Sequence, residues 1–246
     1  MTPDAPAAPN PDGAPAAPDD VTSPAALAAL LTATTHVLLD FDGPVCDVFA
    51  GYPAHDIAEE LRRLLADEHG VTLPADVQAT QDPLHIIHRT ADIAPHLSTL
   101  IDTALRAAEV KAVVTAAPVP GAAELLAACR TSGKPVAIVS NNSAEAVTTY
   151  LRLQDLAGSV AHVQGRDRRD PGLMKPNPYP LHEALAAIGG GPAGAVLIGD
   201  SLTDIDAARN ADVRVIAYAN RPGKAAAFAS ADAVITKMQA IADAIA

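Results

Sequence analysis

Aromatic side chains, cysteine and positive charge are all scarce in this sequence. Aromatic residues make up 3% of its 246 residues and tryptophan is absent, so a broad aromatic surface for stacking a ligand or a base is not expected. The two cysteines, Cys46 and Cys129, are too few for a disulfide framework, and their apolar neighbours predict buried thiols. Lysine and arginine number 17 against 29 aspartates and glutamates, giving a net charge of −12. That charge disfavours nucleic acid and anionic membranes as partners.

Long apolar runs are missing as well. No run approaches the roughly 20 residues that a membrane-spanning helix needs. The first residues have neither the basic stretch nor the apolar segment of a signal peptide, so we expect a cytoplasmic protein. Residues 1–24 contain no lysine or arginine and are mostly proline, alanine and aspartate, which predicts a disordered tail. Apolar residues nevertheless make up 49% of the chain, which is typical of a globular protein.

From residue 25 onward, short apolar runs alternate with helical patterns. Strands are predicted near 36–41, 135–140, 160–164, 194–199, 213–219 and 231–235, with helices between most of them. A short helix should precede the first strand, with Ser23 as its N-cap. Such alternation predicts an α/β fold with a Rossmann-like, doubly wound parallel sheet. Residues 25–45 and 119–246 would form this core, and residues 46–118 would form an inserted helical module.

Polar residues follow each predicted core strand. Because the carboxyl ends of parallel strands meet at one edge of a sheet, we expect these groups to lie together. One aspartate after a strand is often only a turn residue, so the ordered combination is the specific signal. Clustered carboxylates repel each other unless a cation lies among them, and Mg²⁺ prefers carboxylates, water and phosphate. The pattern therefore indicates metal-assisted phosphoryl transfer. The residues are Asp40, Asp42, Gly43, Ser140, Asn141, Lys175, Asp200 and Asp204.

Four segments of the chain resemble the motifs of the haloacid dehalogenase superfamily. DFDGPV resembles its first motif, IVSNN the second, MKPNP the third and LIGDSLTDIDAARNA the fourth. The resemblance runs from about His36 to Ala219 and is nearest to the phosphoglycolate-phosphatase-like branch. It implies that the insertion is a helical cap of the C1 type. It also implies a phosphatase that acts on a small phosphorylated metabolite with Mg²⁺ as cofactor.

The resemblance implies a role for each motif residue. Asp40 would be the nucleophile that forms an aspartyl-phosphate, and Asp42 the general acid and base. Mg²⁺ would be held by Asp40, the Asp42 carbonyl and Asp200. Ser140 and Asn141 would contact the phosphate, and Lys175 would neutralise charge near Asp40 and the phosphate. Asp204 would orient Lys175 or a metal-bound water. Gly43 would complete the first motif.

Several alternatives stay open at the level of sequence. A phosphomutase or phosphotransferase would carry the same motifs and pass the phosphate back to a substrate instead of to water. A dehalogenase is disfavoured, because that branch lacks the second aspartate and needs no metal. A catalytically silent binding module is disfavoured because Asp40, Asp42, Lys175 and Asp200 are all present. The sequence does not name the substrate and leaves monomer and homodimer both open.

Other polar residues carry weaker signals. His88 and Arg89 in the insertion are candidate substrate contacts, whereas the spacing of His85 and His88 lacks a third ligand for a zinc site. The charged run 166–170 is interpreted as a solvated loop from which one arginine reaches the substrate. Asp212 stands where the family usually has glycine after a helix, and Pro44 replaces the usual threonine of the first motif.

Overall fold

Residues 21–245 are described by a computed structural model, and the strands of its six-stranded sheet coincide with the short apolar runs of the sequence. The strands are β1 (His36–Leu39), β2 (Cys46–Asp47), β3 (Ala117–Pro118), β4 (Val136–Val139), β5 (His162–Gln164), β6 (Ala195–Gly199), β7 (Arg214–Tyr218) and β8 (Ala233–Ile235). The helices are α1 (Pro24–Thr32), α2 (Ala54–Arg63), α3 (Ala75–Ala79), α4 (Pro83–Ile93), α5 (Ser98–Ala112), α6 (Ala122–Thr131), α7 (Ala144–Leu153), α8 (Tyr179–Ala187), α9 (Leu202–Asn210), α10 (Lys224–Ala227) and α11 (Gln239–Ile245).

Six strands form one sheet in the order β5-β4-β1-β6-β7-β8, and every neighbouring pair is parallel. The chain runs outward from β1 through β4 to β5, then crosses back to β6 on the other side of β1. This reversal creates a crevice beyond the carboxyl end of β1, where doubly wound proteins bind their ligands. The predicted fold class is therefore confirmed.

Both faces of the sheet are buried, which explains why its strands read as continuous apolar runs. Successive residues of β1 point to opposite faces, so Val37 and Leu39 join one apolar layer while Leu38 joins the other. Helices α1, α6, α7 and α11 cover the first face, and α8 and α9 cover the second. Helix coverage on both sides leaves only the strand ends available for polar chemistry.

The segment between β2 and β3 is helical and has an apolar cluster of its own. Ile57, Leu65, Ile86, Ile101 and Leu105 are buried in that cluster, apart from the two layers of the sheet. The strands β2 and β3 pair antiparallel, with Cys46 opposite Pro118, where the segment leaves and rejoins the core. This two-residue pairing was not predicted, because strands so short show no periodicity in the sequence.

Local sequence signals set several helix ends. Ser23 caps α1 by accepting a hydrogen bond from the Ala26 N–H, as predicted, and Pro24 is the first helical residue. After α9, Asp212 adopts the left-handed conformation with φ of 55°, which is the position where a glycine is usually preferred. Within residues 21–245, no helix combines the length and apolar character needed to cross a membrane.

The predicted tail, residues 1–24, lies largely outside the described residues, and its described end contacts the sheet. The Thr22 N–H donates to the Val234 carbonyl at 2.9 Å, and the Val234 N–H donates to Thr22 Oγ1 at 2.8 Å. Thr22 thus extends the edge of the sheet along β8. The predicted tail boundary at residue 24 therefore lies too late in the chain, since Thr22 already contacts the core. The sequence could not show this, because two hydrogen bonds to an edge strand leave no periodic pattern.

Two truncations should therefore behave differently. Removing residues 1–20 is expected to change the free energy of unfolding by less than about 0.5 kcal/mol, since that stretch has almost nothing apolar to bury. Removing residues 1–22 should cost about 1–3 kcal/mol more, because both hydrogen bonds to Val234 are lost. Urea unfolding of the two truncated proteins beside the full chain measures the difference. Equal stability of the two truncations would show that Thr22 contributes nothing.

Candidate active site

The carboxyl end of β1 brings Asp40 against Lys175 and Asp204. Lys175 Nζ donates to Asp40 Oδ1 at 2.7 Å, to Asp204 Oδ1 at 2.6 Å and to the Val139 carbonyl at 2.9 Å. These three acceptors use all three ammonium protons, so the lysine is held in one position. Asp40, Lys175 and Asp204 are all buried. Residues from three separate sequence motifs are thereby joined into one ion-pair cluster.

The charges of this cluster shift the pKa values of its members. Burial and the nearby charge of Asp204 together raise the pKa of Asp40 to about 8, although Lys175 opposes both effects. Burial alone would lower the pKa of Lys175, but the charges of Asp204 and Asp40 outweigh it and the pKa is raised. The lysine therefore stays protonated. The ionised form of Asp40 is costly here and gains from any further cation placed beside it.

Asp42 lies two residues beyond Asp40 in the turn that leaves β1. The Val48 N–H donates to Asp42 Oδ1 at 2.9 Å, which fixes the carboxyl group next to the start of the helical segment. Burial raises the pKa of Asp42 to about 6, against the opposing effect of the Val48 hydrogen bond. Such a carboxyl group exchanges a proton readily near neutral pH.

Gly43 completes the turn because only glycine fits there. Its φ is +107°, and a Cβ atom would lie 2.5 Å from the carboxyl carbon of Asp200. The turn after β1 therefore passes directly beside the turn after β6. This close approach brings the first and fourth motifs together.

Asp200 is held by two neighbours from the segment after β7. Asn220 Nδ2 and Lys224 Nζ both donate to Asp200 Oδ2, each at 2.8 Å. Among residues 21–245, no hydrogen bond reaches Asp200 Oδ1 or Asp40 Oδ2. Neither Asn220 nor Lys224 was predicted, since no motif marks them. Their effect is to fix one oxygen of Asp200 and leave the other open.

The acidic cluster fits a divalent cation. Carboxylate oxygens of Asp40, Asp200 and Asp204 lie within 4.8 Å of one another. Both oxygens of Asp204 already accept hydrogen bonds. Oδ1 accepts from Lys175, and Oδ2 accepts from the Ser201 hydroxyl and from the backbone N–H groups of Asp200 and Ser201. The open oxygens of Asp40 and Asp200 are the hard ligands that Mg²⁺ prefers. Asp204 instead positions Lys175 and begins α9 through a capping box with Ser201.

The turn after β4 presents Ser140 and Asn141 at the same edge. Ser140 Oγ accepts from the Asn142 N–H at 3.0 Å and donates to Asn142 Oδ1 at 3.1 Å. Asn141 exchanges two hydrogen bonds with the backbone of Lys175, at 2.9 and 3.1 Å. Asn141 thus joins this turn to the backbone of Lys175, and the hydroxyl of Ser140 is held by Asn142 at the start of the same turn.

A buried ionic network behind this turn was missed by the sequence analysis. Arg166, expected in a solvated loop, has a fully buried side chain that donates to Glu109 Oε1 and Asp102 Oδ1, both at 2.8 Å. Arg166 also donates to the Asn141 carbonyl at 2.9 Å, and Glu109 accepts from the Ser143 N–H at 2.9 Å. Helix α5 of the inserted segment is thereby fastened to the turn that carries Ser140.

One sequence signal could have found part of this network. Asp102, Arg106 and Glu109 recur at helical spacing on the buried face of α5, among Ile101, Leu105 and Ala112. Polar residues on an apolar helix face must find partners when they are buried. Asp102 and Glu109 both bind Arg166, which lies in the loop after β5 at least 57 residues away in sequence. No local pattern could therefore identify this partner.

A cavity of about 570 Å³ lies between this edge of the sheet and the helical segment. Its core side contains all the predicted motif residues except Gly43: Asp40, Asp42, Ser140, Asn141, Lys175, Asp200 and Asp204. Its other side contains residues from the inserted segment, among them Phe49, Thr80 and Asp82. The structure therefore places the carboxylates, the lysine and the hydroxyl around one space.

His88 and Arg89, the candidate substrate contacts, do not line this cavity. Arg89 instead forms ion pairs with Asp76 and Asp92, both at 2.7 Å. His88 faces a different depression, beside Asp170. The sequence could not place these two residues, because a helical pattern gives the spacing of residues and not the direction in which the helix faces its neighbours.

Comparison with known proteins identifies a family. The model of the haloacid dehalogenase-like hydrolases matches residues 34–212. The chain is 30% identical over 220 residues to the plasmid-borne phosphoglycolate phosphatase of Cupriavidus necator, covering 84% of this chain and 91% of that protein. It is 29% identical to the phosphoglycolate phosphatase of Caulobacter vibrioides, covering 72% of this chain and 76% of that protein.

A solved structure shares the fold. The CbbY protein of Rhodobacter sphaeroides, crystallised in complex with phosphate, superimposes with a TM-score of 0.61 at 21% identity, covering 84% of this chain and 95% of that one. A mutant of the same protein was crystallised with xylulose-(1,5)-bisphosphate and gives the same TM-score. At this level of identity the likeness concerns the arrangement of strands and helices.

Proposed function

The chain belongs to the haloacid dehalogenase-like hydrolases and acts on phosphoric monoesters, and we propose that it is a Mg²⁺-dependent phosphatase with Asp40 as nucleophile. One observation carries the proposal. Asp40 lines the cavity, and Lys175 holds its Oδ1, while its Oδ2 accepts no hydrogen bond within residues 21–245. A carboxylate with one oxygen fixed and the other open is oriented for attack on a phosphorus atom.

The side chains divide the reaction into two steps. In the first, an oxygen of Asp40 forms a bond to phosphorus, the bond from phosphorus to the alcohol oxygen breaks, and Asp42 gives its proton to that oxygen. In the second, Asp42 takes a proton from water, the water oxygen bonds to phosphorus, and the aspartyl-phosphate bond breaks to release phosphate. Mg²⁺, when bound by Asp40, the Asp42 carbonyl and Asp200, would offset the negative charge of the phosphate and the carboxylates.

The surrounding residues support both steps by position. Ser140 and Asn141 line the cavity. The Asn141 amide has a second N–H beside the one it donates to the Lys175 carbonyl, and the Ser140 hydroxyl would reach a phosphate oxygen by releasing Asn142 Oδ1. Lys175 supplies a fixed positive charge beside the nucleophile. We assign the segment 46–118 as a cap, since its residues line the cavity opposite the sheet edge.

Release of inorganic phosphate from a panel of metabolite monoesters, including phosphoglycolate, tests the activity. Wild-type protein with Mg²⁺ is expected to hydrolyse at least one of them, and an Asp40→Asn variant none. The absence of turnover across a broad panel, by a protein that folds as the wild type does, would contradict the proposal.

Metal dependence can be tested by binding as well as by turnover. EDTA is expected to abolish hydrolysis and added Mg²⁺ to restore it. Mg²⁺ should also raise the melting temperature of the wild type, because a ligand that binds only the native state stabilises it. That increase should be largely lost in Asp200→Asn, which removes a negative ligand. Asp206→Asn, an exposed residue of α9, makes the same charge change outside the site and should keep it. Full turnover in EDTA would rule out the metal-dependent mechanism.

A further inference from the structure

The cavity wall that faces the leaving group is made by the inserted segment. Thr80, Gln81 and Asp82, together with Phe49 and Leu84, line the cavity opposite the catalytic residues. A hydroxyl, an amide and a carboxylate are groups that form hydrogen bonds with hydroxyl groups of a ligand. The carboxylate also gives this wall a negative charge.

Asp82 is the N-cap residue of α4, at the end of a helix that attracts negative charge. Its Oδ1 accepts from the Leu84 N–H at 2.8 Å. Pro83, the first residue of the helix, has no N–H to offer. The positive end of the helix dipole is therefore already satisfied by the chain's own carboxylate. Its other oxygen, Oδ2, accepts no hydrogen bond within the described part of the chain and is available to a ligand hydroxyl.

The positive charges near the cavity are committed to acidic partners. Among the described residues, Lys175 is the only lysine or arginine that lines the cavity, and its protons are shared by Asp40, Asp204 and the Val139 carbonyl. Arg166 is enclosed by Glu109 and Asp102. Arg62 donates to the Thr80 carbonyl and does not line the cavity. Residues 1–20 and 246 contain no lysine, arginine or histidine.

Charge and hydrogen bonding thus favour the same class of substrate. We propose that the leaving group is a neutral, hydroxyl-rich alcohol, as in a polyol or sugar monophosphate, and that Asp82 disfavours a second carboxylate or phosphate. This inference rests on the proposed phosphatase function of the site. A second anion at that wall would lie near Asp82, where no lysine or arginine of the inserted segment lines the cavity to offset the repulsion.

Matched pairs of substrates isolate the effect of one charge. Phosphoglycolate and 2-hydroxyethyl phosphate differ only in a carboxylate against a hydroxymethyl group, as do 3-phosphoglycerate and glycerol 3-phosphate. We expect kcat/KM to be higher for the neutral member of each pair by about tenfold or more, as repulsion between close charges of partly exposed groups permits. Equal or higher kcat/KM for the carboxylates would overturn the inference.

Two variants identify the wall residue responsible. Asp82→Asn keeps a good helix cap and removes the charge, so it should reduce the discrimination within each pair severalfold. Asp92→Asn removes an exposed charge from α4 outside the cavity and should leave the discrimination unchanged. Unchanged discrimination in Asp82→Asn would overturn the assignment to Asp82. Failure to hydrolyse any monoester would instead contradict the proposed function itself.

Discussion

An Asp42→Asn variant is expected to accumulate the phosphorylated protein when it is mixed with an aryl phosphate. The substitution keeps the nucleophile but removes proton transfer, a contribution of about 10²–10⁴-fold in rate. An aryl oxide leaves without protonation, so the first step should survive. The second step still needs a base to activate water, so phosphate should remain on Asp40. Product release followed beside intact-protein mass should show one burst and a phosphate adduct.

Asp40→Asn is the matched control for this experiment. It makes the same change from carboxylate to amide two residues earlier, and it removes the nucleophile itself. Neither a burst nor an adduct is expected from it. Steady turnover of Asp42→Asn at the wild-type rate would show that Asp42 is not the acid and base, and an adduct in Asp40→Asn would place the nucleophile elsewhere.

The pKa of Asp42 gives a physical reason for its role. Burial raises that pKa to about 6, so the acid form needed for the first step and the base form needed for the second are both accessible near neutral pH. The Val48 N–H binds one of its oxygens at the start of the inserted segment. The proposed proton-transfer group is therefore hydrogen-bonded to the segment that lines the cavity opposite the sheet edge.

The core of the site could be predicted from sequence because it follows from topology. Asp40, Ser140 and Asp200 each come directly after a strand that is buried on both faces, and parallel strands end at one edge. Their apolar runs identify the strands, and the strand order brings the ends together. Lys175 follows a loop after β5 instead of a strand end, and its place in the ordered series of polar residues, together with the motif resemblance, predicted it.

The cavity wall could not be predicted in the same way. Thr80 and Asp82 lie in a short loop between α3 and α4, and which residues of such a loop face the sheet depends on how the helices pack. Arg166 shows the same difficulty, since its charged neighbours in sequence are typical of a solvated loop. Only its partners on α5, distant in sequence, explain why the side chain is buried.

Replacing Arg166 by methionine is expected to cost about 3–5 kcal/mol of unfolding free energy. Methionine fills a similar volume, but the buried Glu109 would lose its charged partner, and an uncompensated buried charge is strongly destabilising. Asp102 would lose one ion pair and keep the other, with Arg106. Burial alone would lower the pKa of Arg166, and the charges of Glu109 and Asp102 raise it instead, as expected for a guanidinium that stabilises both. Urea unfolding monitored by circular dichroism measures the loss.

The exposed pair between Arg209 and Asp232 provides the comparison. Arg209→Met makes the same substitution where the side chains are 45% and 29% exposed, and it should cost only about 0–1 kcal/mol. Adding Glu109→Gln to Arg166→Met should recover part of the loss, because a neutral amide tolerates burial better than an unpaired carboxylate. A double-mutant cycle on these two positions gives the coupling energy. If Arg166→Met costs no more than Arg209→Met, the buried network does not hold α5 to the turn that carries Ser140.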